Sequence, residues 1–128
     1  MIAALSAWHE QHQTAAEALA RVDVLPAHVV VEAYSVLTRL PGGLAVLPAV
    51  AADVLERRFP KAPLRLTKPG RATLLDRLAG SGVFGGASYD GLVALEAHAH
   101  GHALLTLDER AQLTYRRLGV EFSVVGAA

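Results

Sequence analysis

The sequence predicts an α/β fold, with a mainly parallel central sheet covered by helices on both faces. Three observations predict it. Segments with helical periodicity alternate along the chain with short apolar stretches rich in β-branched residues. Hydrophobic residues make up 52% of the chain and charged residues 19%, a balance that buries a core and argues against intrinsic disorder. The 128 residues suit one domain, residues 1–128, because two separate cores would leave each half too small to stabilise itself.

The elements follow in order. His9 to Ala20 places Ala15, Ala16, Leu19 and Ala20 at helical spacing, and Val22 to Leu25 reads as a short strand ended by Pro26. His28 to Leu40 is a helix with Val29, Ala33, Val36, Leu37 and Leu40 on one face, stopped by Pro41-Gly42-Gly43. Leu47 to Phe59 is a second helix, which accepts Pro48 in its first turn and gains from Arg57 and Arg58 near its end. Pro63 to Thr67 reads as a strand and Lys68 to Ala79 as a helix capped by Thr67. The glycine-rich stretch Gly80 to Gly86 is a flexible loop. Ser88 is the expected cap of a helix running to about His100, which Gly101 ends. His102 to Leu107 is a strand, Asp108 to Leu118 a helix and Val120 to Val125 a last strand.

Composition excludes several function classes. The chain has no cysteine, so disulfide scaffolds, thiolate zinc sites and cysteine nucleophiles are ruled out. Twelve basic residues balance twelve acidic ones, which excludes nucleic-acid binding through overall charge and leaves a local patch open. Ten of the twelve are arginine, whose planar fork suits phosphate. No apolar run nears the roughly 18 residues of a membrane span. Met1 to Ala7 is apolar but lacks the basic start of a signal peptide. A cytoplasmic protein with no membrane partner is expected.

Three acidic residues stand apart. Glu32 falls in register with Val29, Ala33 and Val36, where a carboxylate facing a core is costly unless paired or bound to a metal. Asp90 lies in the first turn of its helix, on the face of Val93, Ala94 and Ala97. Asp108 follows the strand HALLTL, and open α/β sheets build their sites beyond the carboxyl ends of their strands. Structural roles compete: Asp90 and Asp108 suit helix N-termini, and Glu32 could pair with Arg39. Three carboxylates brought together would repel and call for a hard cation such as Mg²⁺ or Mn²⁺.

The segment VVVEAYSVLTRLPGG, Val29 to Gly43, resembles the helix of PIN-domain ribonucleases that carries a metal-binding Glu. It is especially similar to the VapC-type toxins of bacterial toxin–antitoxin pairs. ASYDGLVALEAHAHG, Ala87 to Gly101, is similar to the later helix that carries an acidic ligand, and LLTLDERA, Leu104 to Ala111, resembles the strand and turn that supply another. Ile2 to His12 resembles the stretch after the first strand in one VapC subgroup. The ordered set covers nearly the whole chain. The resemblance implies a PIN-like three-layer α/β/α sandwich and a metal-dependent endoribonuclease. By it, Glu32, Asp90 and Asp108 hold one or two Mg²⁺ or Mn²⁺ ions and orient the attacking water. Thr106 matches a position often occupied by Ser or Thr, with a supporting hydrogen bond as its role. The resemblance also implies a homodimer, an RNA substrate and a cognate antitoxin whose tail covers the acidic site.

The family pattern has a first strand ending in Asp just before the segment that begins here at Met1. The expectation is that such a strand, about five or six residues long, precedes Met1 in the natural protein. The alternative is a degenerate member that binds antitoxin or RNA without cutting. A phosphatase or receiver-like domain with an acidic Mg²⁺ pocket is a third, weaker reading.

Other residues carry less. His9 and His12, and His98, His100 and His102, lack partners at zinc-motif spacing and are expected to be exposed or helix-end residues. Trp8 is expected to anchor packing. The Gly80–Gly86 loop lacks the Lys-Ser/Thr of a phosphate-binding loop. Arg39, Arg65, Lys68, Arg71, Arg77 and Arg110 are the basic candidates for phosphate contacts, and Arg39 and Arg110 are expected beside the acidic site.

Overall fold

In the computed structural model, residues 20–106 and 108–124 are described. The expected helix from His9, together with Trp8, His9 and His12, lies outside them. The chain divides into two compact units, Met1–Pro63 and Leu64–Ala128.

The first unit is built on a helical pair, α1 (Ala27–Thr38) and α2 (Pro48–Arg58), packed on each other. Pro26, with φ −58° and ψ 145°, leads into α1, where its missing N–H costs nothing. Val29, Ala33 and Leu37, four residues apart, form the buried stripe of α1; Ala51 and Leu55 form that of α2. Burying a Leu or Val side chain is worth about 1.5–3 kcal/mol, so these stripes stabilise the unit far more than helix propensity does. Leu25 is its most enclosed large side chain, at 2% exposure. After α1 the chain turns through Gly42 and Gly43, whose φ values of 68° and 75° suit glycine. The Val46 amide then returns to the Leu37 carbonyl at 2.9 Å, closing the connection.

The second unit carries α3 (Lys68–Ala72), α4 (Leu74–Gly80), α5 (Ala87–His98), β1 (Leu104–Thr106), α6 (Glu109–Leu118) and β2 (Phe122–Val124). The two strands pair in parallel with Leu104 opposite Phe122 and Thr106 opposite Val124, which makes β1–α6–β2 a strand–helix–strand unit. Ala111, Thr114, Tyr115 and Leu118 are the buried residues of α6; Val93, Ala94 and Ala97 are among those of α5, and the two helices pack on each other. The Tyr115 and Phe122 rings meet at 5.5 Å. Gly119, at φ 69°, ends α6, and the Val120 amide returns to the Tyr115 carbonyl at 3.0 Å. Two arginines tie this end down: Arg77 donates to the Leu118 carbonyl at 3.2 Å and Arg117 to the Gly82 carbonyl at 2.8 Å.

The mixed helical structure with a parallel strand pair agrees with the expected α/β class. Several expected elements differ. Val22–Leu25 and Pro63–Thr67 form no strands; only single bridge residues, Pro26 and Leu64, mark them. Both stretches are short, and prolines at 26 and 63 remove ladder donors. The expected Lys68–Ala79 helix is broken at Thr73, whose hydroxyl donates to the Pro69 carbonyl at 3.1 Å, a contact that bends helices. Ser88 is not the cap of α5: Gly86 occupies that position, and the Ser88 amide already bonds the Gly85 carbonyl at 3.1 Å. Thr67 does cap its helix, its hydroxyl accepting from the Gly70 amide at 3.1 Å. Thr67→Ala is expected to cost about 1 kcal/mol in urea denaturation, with Thr67→Ser near wild type.

Candidate active site

Asp108 is the best-defined acidic position. It follows the parallel strand β1 and caps α6, its Oδ1 accepting from the Arg110 amide at 2.8 Å. Its own amide donates to the Thr106 hydroxyl at 3.0 Å, and Thr106 is 6% exposed. A buried threonine at the strand's end therefore fixes the backbone that carries Asp108, while the cap fixes the direction of its side chain. The cap is also the structural role that competed with metal binding in the sequence. The two are compatible, since a carboxylate offers about four lone-pair sites. Arg110 contributes its backbone here and leaves its side chain exposed.

The Thr106 bond is testable by itself. Thr106→Val keeps the shape and removes the acceptor, and should cost about 1 kcal/mol in urea denaturation. Thr106→Ser should restore most of it.

Asp90 stands in the first turn of α5, half-buried, one residue before the fully packed Gly91. Asp90 and Asp108 thus belong to the N-terminal ends of two helices that pack on each other, where backbone N–H groups favour negative charge.

Glu32 corrects the sequence reading. Its side chain is 49% exposed and does not face the core. At about 100° per residue, the stripe of Val29, Ala33 and Leu37 is centred on Ala33, and Glu32 stands one full step to its side. Half in solvent, Glu32 bears no burial cost that a partner or a metal would have to offset. Nor does it pair with Arg39, which donates to the Ser35 hydroxyl at 3.3 Å. The neighbour of Glu32 is His28, with Nε2 3.9 Å from Oε2. His28 was missed in the sequence; its signal was the spacing of four residues on a helix.

Among the described residues no group of three or more His, Cys, Asp or Glu could hold a metal ion as it stands. Each carboxylate by itself offers anionic oxygen, the donor type that hard divalent cations take. Glu96, a carboxylate that sequence reasoning passed over, is buried at 5% exposure on α5. His100 is structural, its Nε2 meeting the Arg65 carbonyl at 2.7 Å. No helix among the described residues is long and apolar enough to cross a membrane.

Residues 1–117 match the PIN domain family. The chain is 43% identical to ribonuclease VapC40 of Mycobacterium tuberculosis over 129 aligned positions, covering 98% of this chain and 93% of the relative. The same figures hold for that protein from strains CDC 1551 and H37Rv. Ribonuclease VapC27 of the H37Rv strain is 42% identical over 122 positions, covering 95% of this chain and 82% of the relative. No solved structure gave a significant match.

Proposed function

The chain belongs to the PIN-domain family, and from that premise we propose that it is a divalent-metal-dependent endoribonuclease, the toxin of a VapBC-like toxin–antitoxin pair. The observation that carries this reading is the turn after β1. There Thr106, Asp108 and the Arg110 amide form a chain of hydrogen bonds that holds a carboxylate beyond the carboxyl end of a parallel strand. The relatives named as ribonucleases support the substrate class.

In this reading Glu32, Asp90 and Asp108 are the acidic positions that hold Mg²⁺ or Mn²⁺. When bound, such an ion supplies charge stabilisation and activation of water for phosphodiester hydrolysis. Asp108 is held ready by its cap, so no side-chain ordering has to accompany ion binding. Thr106 positions Asp108 through the backbone. Arg39 and Arg110, both exposed, are assigned to the RNA phosphates.

The partners in this reading are RNA, a cognate antitoxin and a second copy of the chain. Apolar surface in the first unit supports protein partners: Val31, Leu44 and Leu47 are exposed. A cavity of about 430 Å³ there is lined by Val30, Tyr34, Leu55 and Phe59, among others. The reading also places the protein in the cytoplasm.

The test is incubation of the purified chain with structured and single-stranded RNA, with Mg²⁺ or Mn²⁺ and then with EDTA. Internal cleavage that needs the metal and returns when it is restored is the expected result. Metal-independent cleavage, or release of phosphate from monoesters with RNA left intact, would sink the proposal.

A further inference from the structure

We propose that the loop between α4 and α5 binds single-stranded RNA, with the Phe84 ring stacking on a base and the Arg77 and Arg117 guanidinium groups holding phosphates. The inference rests on the reading of the chain as a ribonuclease and names residues that hold its substrate. Residues 81–86 join the two helices. Val83 is buried at 4% exposure, and its amide donates to the Leu78 carbonyl at 2.9 Å. The Gly82 amide donates to the Ala79 carbonyl at 3.1 Å, and Arg117 donates to the Gly82 carbonyl at 2.8 Å. The loop expected to be flexible is thus tied to the fold at positions 82 and 83. Gly82 and Gly85, at φ 71° and 60°, turn the backbone on either side of Phe84. A held backbone therefore presents the Phe84 ring to water at 78% exposure.

Phe84 and Tyr89 are the most exposed aromatic residues among those described, and Asp90 directly follows the second. Left in solvent, the Phe84 ring adds little to the core, so packing does not account for it. A protein contact centres such an anchor in a wider apolar patch. Here the ring is followed by the exposed Gly85 and Gly86, and the loop carries no acidic side chain to repel phosphate. An isolated ring beside cationic groups suits an unpaired base, since every base offers a face for stacking. Arg77 gives one N–H to the Leu118 carbonyl at 3.2 Å, and Arg117 gives one to Gly82. A guanidinium has five N–H donors, and both side chains are exposed, which leaves donors for phosphate oxygens. Leu118 follows Arg117, and the Phe84 Cα lies within about 7 Å of that of Gly82 by chain length alone. The ring and the two arginines therefore share one junction.

The test is steady-state cleavage of a single-stranded RNA by the full chain with Mg²⁺ or Mn²⁺, with KM and kcat read separately. The duplex of the same sequence is added as a competitor. Wild type, Phe84→Ala, Phe84→Trp and Arg117→Gln are compared, and melting temperature verifies that each is folded. Phe84→Ala should raise KM about tenfold with kcat and inhibition by the duplex unchanged, and Phe84→Trp should match wild type. Arg117→Gln should reduce the dependence of log kcat/KM on log salt by about 0.7. An unchanged KM in Phe84→Ala, or an equal loss of duplex inhibition, overturns the stacking role. An unchanged salt dependence in Arg117→Gln overturns the phosphate role. A Phe84→Ala variant with normal KM but weaker self-association in sedimentation assigns the ring to a protein contact instead. Wild type that cuts no RNA overturns the ribonuclease reading, and this proposal with it.

Discussion

Asp108→Asn is expected to lower RNA cleavage at least about a hundredfold while leaving stability within about 0.5 kcal/mol of wild type. The two effects separate because Asp108 has two roles. As the cap of α6 it accepts the Arg110 amide, and asparagine caps a helix about as well as aspartate. As an ion-binding carboxylate it supplies negative charge, which asparagine lacks. Groups that merely support a metal ligand usually account for ten- to hundredfold in affinity or activity, so loss of the ligand itself should cost more. Asp108→Ala should add a stability loss of about 1 kcal/mol by removing the cap. Urea denaturation and RNA cleavage on the same preparations check both parts. An Asn variant that cuts RNA at the wild-type rate would reduce Asp108 to a structural cap.

Gly91→Val is expected to produce the largest stability loss in the second unit, about 3 kcal/mol, seen as a drop of several degrees in melting temperature. A Cβ at position 91 would meet Leu78 Cδ2 at 2.7 Å, Val83 Cγ1 at 3.3 Å and Leu118 Cδ1 at 3.4 Å. Favourable carbon contacts lie at about 3.5–4.0 Å. Three buried side chains from separate segments crowd the position, so relief at one does not relieve the others. Gly91→Ala should be milder, because alanine regains about 1 kcal/mol of helix propensity. A valine variant with the wild-type melting temperature would mean that α5 does not approach Leu78 and Leu118 this closely. Asp90 precedes this glycine, so the variant also probes how firmly the helix start that carries it is held.

The sequence made the helices easier to read than the strands. α1 is legible because Val29, Ala33 and Leu37 recur at helical spacing before the Pro41-Gly42-Gly43 stop, and α2 because its first turn accepts Pro48 and its last turn carries Arg57 and Arg58. Val22–Leu25 and Pro63–Thr67 were read as strands from their β-branched and apolar character. A strand also needs a neighbour, and nothing local encodes that neighbour. The break at Thr73 was missed because it depends on one hydroxyl turning back to a carbonyl. Asp108 is legible from its position after HALLTL, and Thr106 only through the resemblance to the PIN family; the structure joins them by the hydrogen bond from the Asp108 amide to the Thr106 hydroxyl. Glu32 was read as core-facing because Val29 and Val36 flank it at helical intervals. The buried stripe is centred on Ala33, so Val36 is only half-buried and Glu32 stands about 100° to the side of the stripe.

The measurement that bears most directly on the central claim is metal-dependent RNA cleavage by Glu32→Gln, Asp90→Asn and the double variant, compared with wild type. Groups that serve one chemical step are strongly non-additive, since removing either disables the same event. The account predicts that each single variant loses at least about a hundredfold and that the double variant is scarcely worse than either. Wild-type cleavage by either single variant, or losses that multiply in the double, would contradict it.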